Sequence, residues 1–465
     1  MTQKIQGVAS KVSPLVPDLL AQDPSSNEAL SADGNYMPEG VNIDVSRYIS
    51  EDFAELEKEK IWKKSWQYAA RVEDIPKVGD RTEYTVSGLS CFIVRGDDDE
   101  IRAYLNSCPH RGTKLCVGFA SSDEVVCPFH GWKWNLDGKI KGIPSEWDFQ
   151  NYDKDDVGLI EIKCEVWQGY IFINFDDNAK PLDKYLGVLK SHFATLPEMN
   201  RITIGRVKKV IKANWKVAME AFLESYHTIE THPQILTTLA DASTKYDVWD
   251  DGDSSVSRLY SPMSVPSPHL GDDVDLAECA KEYAKGMEMP GLEHLNFVLD
   301  TDSKLAPRTQ LAEWRRSIFK EVLGVDLESM PDAALLDAIQ YWMFPNFCPW
   351  YGEGGPIAYQ FLPVNGKTNE CVMEVRLLAP LPSGVPLPEV PTQIDYLDAN
   401  DSFAEKATGF GGLAMVFDQD MINIPVIQEG LENAYHLNKS KVRLADYQEQ
   451  RIAHFHEVLN RWVAK

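Results

Sequence analysis

The sequence predicts an α+β protein in which a small strand-rich domain precedes one larger mixed domain, behind a polar N-terminal arm. Three observations carry this. Between residues 67 and 175 the chain runs in short strand-like stretches separated by turns, such as TEYTVSG, SCFIVRGDDDEIRAYLN and WQGYIFINFDD. From residue 181 onward, long strand-like runs alternate with helical ones. The first 45 residues, including AQDPSSNEALSADGNYMPEG, are instead rich in Ser, Asp, Asn and Pro.

The arm, residues 1–45, reads as extended or poorly ordered. The strand-rich domain spans 46–180, with FAELEKEKIWKKSW (53–66) as a leading helix and hairpin tips at DDD and DG. The larger domain, 181–465, opens on a linker helix, PLDKYLGVLKSHFATL (181–196). RITIGRVKKVIKANW (201–215) is a strand that runs into a helix over KVAMEAFLESYHTIETH (216–232). An irregular stretch follows from 245 to 310, then strands at IAYQFLPV and ECVMEVRLLAP, and a strongly helical end from 399. No internal repeat is visible.

Composition narrows the function. The 46 basic residues against 71 acidic ones give a net charge of −25, which argues against a nucleic-acid partner. No apolar run reaches the roughly 18–20 residues a membrane span needs. The opening MTQKIQGVASKVSPLVPD lacks the apolar core and cleavage site of a secretory signal. Eight Cys in 465 residues is sparse, so the expectation is a reducing cytoplasmic location, with clustered Cys serving metal rather than disulfides.

One such cluster exists. CPHRG (108–112) and CPFHGWKW (127–134) place Cys108 and His110 two residues apart, then Cys127 and His130 three apart. Two thiolates and two imidazoles suit zinc or an iron–sulfur cluster of mixed ligation. Zinc knuckles usually pair like with like, so C-x-H fits them poorly. In a Rieske centre two Cys hold one iron and two His the other, one of each from two loops, and this spacing supplies that set. Pro109, Gly112, Pro128 and Gly131 allow tight loops whose N–H groups face the sulfurs, and Trp132 is placed to shield them.

The pair CPHRG…CPFHGW resembles the Rieske box of the oxygenase components of Rieske non-haem iron oxygenases. Cytochrome bc-type Rieske proteins carry an extra Cys in each loop, where this chain has Thr113 and Phe129. NWKVAMEAFLESYHTIETHP (214–233) resembles the mononuclear-iron motif of the same family, which implies that His227 and His232 are two iron ligands. Five residues apart, they sit about 140° apart on an ideal helix, so they converge only where the helix ends or distorts, and Pro233 favours an ending. In relatives the third ligand is an Asp followed eight residues later by Gln. Within FDQDMINIPVIQEGL, Asp420 and Gln428 keep that interval, and Asp418 is the solvated or capping rival. Pro425 stands where the family often has an acidic residue.

The resemblance also implies that Glu224, where the family usually has Asp, bridges its own His227 to His130 of a neighbouring subunit. Glu224 is expected on the same helical face as His227. Glu220, one turn earlier, is either an outer partner of the site or a solvated or helix-packing residue. Ala221 and Phe222 suggest an apolar wall. Cys91, Cys116, Cys164, Cys279, Cys348 and Cys371 read as core residues, and His454 and His456 as helix surface.

The family's architecture is a β-rich Rieske [2Fe-2S] domain followed by a helix-grip, START-like catalytic domain, a curved antiparallel sheet around a long helix. The implied function is a terminal oxygenase α subunit holding a [2Fe-2S] cluster and one mononuclear Fe(II). It would take electrons from NAD(P)H through a flavin reductase, directly or by way of a ferredoxin. The substrate class implied is an aromatic or other hydrophobic ring, with cis-dihydroxylation as the main reading and monooxygenation or O-/N-demethylation as the alternative. A non-enzymatic Rieske electron carrier is the remote one. The implied assembly is a head-to-tail homotrimer, with or without a small β subunit.

Overall fold

The computed structural model describes residues 7–464 apart from positions 24, 40, 41, 150, 152, 154, 198, 199, 289, 290, 383 and 440. Seven strands build the first domain's antiparallel sheet, in the order Gln67–Arg71, Tyr170–Asn174, Glu161–Trp167, Ile101–Leu105, Leu89–Arg95, Asp80–Val86, Phe119–Ser121. The hairpin between Val86 and Leu89 turns on Ser87 and Gly88, both at positive φ, as the right-handed twist of the strands requires. The expected tips at DDD and DG also turn the chain, with Asp99 and Gly138 at positive φ. A small second sheet, Val125–Val126, Lys133–Trp134 and Ile140–Gly142, carries the second Cys/His loop.

In the larger domain, Arg201–Ile211 pairs along its length with Cys371–Pro380, and Ile357–Pro363 and Cys348–Pro349 extend that sheet antiparallel. The short edge strand Asp395–Leu397 joins on the other side in parallel. A second sheet, Lys245–Asp250, Ser255–Ser261 and Ala338–Met343, is linked to the first by bridges Gln340–Trp350 and Met343–Phe347. The long helix Gly412–His436 packs Ala414, Phe417, Ile424 and Leu431 among Val207, Ile211, Met373 and Val375 of the sheet. Those positions recur with helical period, and the same face carries Asp420 and Gln428 inward. Among the described residues, no helix is long and apolar enough to cross a membrane.

Several expectations change. Residues 1–6 of the arm lie outside the described residues. Of the arm's described residues, helices Val16–Leu20 and Glu28–Ser31 bury Val16, Leu20, Ala29 and Leu30 against the larger domain's core. Arg258 and Lys245 donate to the backbone carbonyls that end the second of them. A few apolar anchors and these polar contacts hold an otherwise polar segment, which composition does not register. The linker helix is two pieces, Leu182–Leu186 and Val188–Phe193, split at Gly187. The stretch 245–310 contains a full hairpin and the helix Leu276–Lys285, because its strands bury polar residues such as Asp247, Ser257 and Arg258 that hide the alternation. His454 and His456 are buried, 0% and 4% exposed, rather than on a helix surface. The C-terminal helix Gln450–Val463 is covered on both sides.

Buried ion pairs join the two domains. Asp74 of the first takes both ends of the Arg376 guanidinium, at 2.8 and 2.6 Å, and lies 3.2 Å from Arg206. Glu374 completes the group, 2.7 Å from Arg206 and 3.0 Å from Arg376. Beside it, Glu73 accepts from the backbone N–H and hydroxyl of Thr203. Burial pushes the Asp74 carboxyl up, but Arg206 and Arg376 pull it further down, to about 2. Removing one partner leaves buried charge uncompensated, so Asp74→Asn is expected to cost about 3–5 kcal/mol in denaturant unfolding. For a depressed carboxyl the stabilisation is complete above the ordinary carboxylate range near pH 4 and is lost as pH falls through about 2. Acid titration of wild type against Asp74→Asn should therefore converge in that window.

Candidate metal centres

The two Cys/His loops are built alike. In the first, the Cys108 N–H donates to Thr113 O at 2.9 Å and the Gly112 N–H to Cys108 O at 2.8 Å. In the second, Cys127 donates to Trp132 O at 2.8 Å and Gly131 to Cys127 O at 3.0 Å. Gly112 and Gly131 stand at φ 77° and 74°, a backbone shape other residues rarely adopt. Each loop turns its N–H groups onto its own sulfur: those of His110 and Arg111 onto Cys108, those of Phe129 and His130 onto Cys127. Burial raises both thiols, and at Cys127 the Phe129 and His130 N–H groups, with Cys108 and Thr113, together outweigh it, so that thiol ends below its ordinary value. Thr113, where an extra Cys would stand in the other Rieske branch, hydrogen-bonds Cys127.

The four side chains pair by type. Cys108 and Cys127 are within hydrogen-bonding reach of each other, and the His110 and His130 rings lie 4.6 Å apart. Trp132 stacks flat on His110 at 5.0 Å, and Cys108, Cys127 and Trp132 share one small core with Phe92, Tyr104 and Trp134. The Nδ1 of His110 is buried without a hydrogen-bond partner. A sulfur pole, an imidazole pole and an orphaned ring nitrogen suit two metal ions bridged between them, the donor set of a mixed Cys/His iron–sulfur cluster. The outer edge is open: His130 is exposed and Phe129 beside it is 57% exposed.

The second centre depends on a helix that stops. Trp215–Glu220 is followed by a turn rather than by the long helix the sequence suggests, and a single helical turn, Thr228–Thr231, begins after it. His227 and His232 flank that turn as its two caps. Their Nε2 atoms come within 3.2 Å of each other, and Asp420 Oδ1 lies 3.0 Å from His232 Nε2 and 3.6 Å from His227 Nε2. Among the described residues, these are the group whose donor atoms all lie within 4.8 Å of one another. Two imidazoles and a carboxylate on one side leave the other positions of an octahedral ion free, the arrangement of non-haem iron(II) sites.

Each imidazole is held from behind. Glu224 Oε1 lies 2.6 Å from His227 Nδ1, and its Oε2 accepts the His227 backbone N–H at 3.0 Å and that of Tyr226. Glu224 is thus on the turn, not on a helical face with His227, and reaches it by capping. Burial pushes the His227 imidazole down, but Glu224 and then Asp420 outweigh it and raise it. His232 Nδ1 lies 2.8 Å from Gln419 Oε1, which also accepts from Gln234 Nε2. With both Nδ1 atoms engaged by acceptors, both Nε2 lone pairs face the centre.

Other residues find definite places. Asp418 accepts from Ser402 and from the Phe403 and Ala404 N–H groups, so it caps a neighbouring helix and points away from the centre. Glu220 binds Tyr48 and His456, at 2.8 Å to the latter, and does not reach the histidines of the centre. Gln419 is a functional neighbour the sequence did not expose; adjacency to Asp420 is its one signal. Phe222 meets Tyr359, Phe361 and Phe417 at 5.2–6.2 Å, forming an aromatic group beside the triad.

Comparison with known proteins agrees with this layout. Residues 65–153 match the Rieske [2Fe-2S] domain, and residues 193–465 match the ring hydroxylating alpha subunit (catalytic domain). The carnitine monooxygenase oxygenase subunit of Escherichia coli (strain K12) is 32% identical over 198 residues, 42% of this chain and 53% of that protein. The biphenyl 2,3-dioxygenase subunit alpha of Rhodococcus jostii (strain RHA1) is 33% identical over 192 residues, 40% and 42% of the two chains. The chain thus spans about half the length of the curated relatives it matches. Among solved structures, the quaternary ammonium Rieske monooxygenase CntA in complex with L-carnitine shares the fold with a TM-score of 0.62 at 18% identity, covering 91% of this chain and 96% of that one. Naphthalene 1,2-dioxygenase from Rhodococcus sp. bound to indole gives 0.61 at 18% identity, over 91% and 94%.

The Gln419 contact generates a prediction. Outer partners of metal-binding histidines typically carry about 10–100-fold in metal affinity. Gln419→Leu should weaken binding at His227, His232 and Asp420 by that order, read by titrating metal-stripped protein with iron(II) under anaerobic conditions.

Proposed function

This chain belongs to the ring-hydroxylating alpha-subunit family, with a Rieske [2Fe-2S] domain ahead of its catalytic domain, and from that premise we propose that it is the terminal oxygenase of a multicomponent system. Cys108, His110, Cys127 and His130 would hold the [2Fe-2S] cluster, and His227, His232 and Asp420 one iron. Bound there, the cluster supplies electrons one at a time and the iron the oxygen chemistry. The observation that carries this reading is the convergence of two Nε2 atoms and one carboxylate oxygen, with their outer nitrogens anchored.

The chain's own residues perform the rest. Glu224 fixes the His227 tautomer by setting a carboxylate oxygen against its outer nitrogen, and Gln419 fixes that of His232 with the oxygen of a neutral amide. The aromatic group of Phe222, Tyr359, Phe361 and Phe417 gives an apolar wall that excludes water and packs against a substrate ring. The exposed His130 edge fits a partner surface that brings a neighbouring chain's Glu224 to it, in a head-to-tail homotrimer, with electrons from an NAD(P)H-dependent flavin reductase, directly or through a ferredoxin. The reaction proposed is cis-dihydroxylation of an aromatic or other hydrophobic ring.

A second reading is monooxygenation, including demethylation. It is compatible with the relatives, which include carnitine and glycine betaine monooxygenase subunits at 32% and 30% identity beside the dioxygenases. The same aromatic faces would hold a trialkylammonium group through cation–π attraction.

Two experiments test these readings. His227→Ala should lose the mononuclear iron while the cluster's visible absorbance persists; only the two cluster irons in the wild type, with His227→Ala unchanged from it, would return the protein to the electron-carrier reading. Single turnover of chemically reduced protein under ¹⁸O₂, with aromatic and quaternary-amine substrates side by side, separates the chemistry by mass spectrometry. Two labelled oxygens in a ring product support the dioxygenase; one, or loss of a methyl group, moves the protein to the second reading.

A further inference from the structure

Among the described residues, four arginines are fully buried: Arg71, Arg258, Arg376 and Arg451. Three meet carboxylates, Arg71 with Glu73, Arg258 with Asp247, and Arg376 with Asp74 and Glu374. Arg451 is different. It is 0% exposed on the C-terminal helix, and among the described residues no carboxylate lies within 4.0 Å of its guanidinium. Its Nε donates to Ser257 Oγ at 3.0 Å, its Nη1 donates to the Leu223 carbonyl at 3.1 Å, and its Nη2 is buried with no partner. A buried charge without a counter-ion is costly, and a guanidinium left in that state is held for what it grips.

What it grips is the turn that carries Glu224. On one side of Glu224, the Leu223 carbonyl is fixed by Arg451; on the other, the Ser225 N–H donates to Tyr246 Oη at 3.0 Å. Gln450, next to Arg451, donates to the Tyr246 carbonyl at 3.2 Å, so both contacts belong to one clamp between the C-terminal helix and the strand Lys245–Asp250. The intervening residue places its carboxylate 2.6 Å from His227 Nδ1. We propose that Arg451 is a positioning residue that sets the reach of Glu224, and through it the orientation of His227, by holding the Leu223 carbonyl. This rests on the reading of His227 as an iron ligand.

The test uses the full-length holoprotein and reads release of mononuclear iron to a chelator, with the EPR spectrum of that iron's nitric oxide adduct as a second readout. Arg451→Met should release this iron about 10–100-fold faster and shift the adduct spectrum, with the cluster absorbance unchanged. Arg451→Lys should recover most of the difference. A residue acting through Glu224 must also lose its effect when Glu224 is altered, so in a Glu224→Gln background Arg451→Met should add little. Equal acceleration in both backgrounds, or none in either, overturns the proposal. Where Arg451→Met does not fold, Ser257→Ala, which frees the Nε contact alone, carries the test: faster release supports the proposal and unchanged release overturns it. His227→Ala is the control for the underlying reading. If it keeps its iron, that reading fails and this one with it; if it loses iron while Arg451→Met does not, the Arg451 proposal alone fails.

Discussion

The catalytic half of this molecule is organised around the point where a helix stops. On an uninterrupted helix, residues five apart point about 140° away from each other, and no single ion could be shared between them. The chain solves this by ending the first helix at Glu220, turning through Ala221–Tyr226, and restarting for one turn whose two caps are the histidines. The restart has a local cause. The Glu224 side chain takes the backbone N–H of His227, a donor that a continuing helix would have used for its own ladder. The group that orients the His227 ring therefore also creates the backbone geometry that lets it meet His232, and Pro233 ends the turn beyond it.

Such a turn has little cohesion of its own, so the rest of the domain supplies it. The C-terminal helix and the hairpin Lys245–Ser261 lie behind it, and the long helix brings Asp420 from the front on the face that also packs the core. Asp418 shows how narrow that placement is. Two residues away, about 200° around the helix, the same side-chain chemistry becomes a cap for a neighbouring helix. Between the domains, the paired charges of Asp74, Glu374, Arg206 and Arg376 fix one sheet against the other with directional bonds that an apolar contact would not provide.

What the sequence reveals follows from which interactions are local. Ligand loops must present two donors within a few residues, so C-x-H and C-x-x-H are legible, as are His227 and His232. Asp420 is legible through its fixed distance to Gln428, although nearly two hundred residues separate it from the histidines. Partners recruited by packing leave no such trace. Gln419 and Tyr246 each act through one contact made across the fold, and His456 meets Glu220 and Tyr48 across more than two hundred residues of chain. His454 and His456 mislead for a related reason: polar residues on a helix look solvated, yet they lie on opposite sides of it, about 200° apart, and Asp250 and Glu220 meet them there in the interior.

The two histidines of the triad are unequal in a way that matters for their chemistry. His232 is the deeper, its side chain 4% exposed, and its outer nitrogen meets a neutral amide. His227, 27% exposed, meets a carboxylate. The carboxylate itself is largely buried, its side chain 9% exposed. It also draws the Nδ1 proton more strongly than an amide can, which makes His227 the better electron donor to any metal at its Nε2. That stronger donor lies on the side of the centre whose outer partner borders an exposed residue, Tyr226, at 51%. The side of the site that borders exposed residues is thus also the side where a carboxylate and an imidazole are coupled by a hydrogen bond.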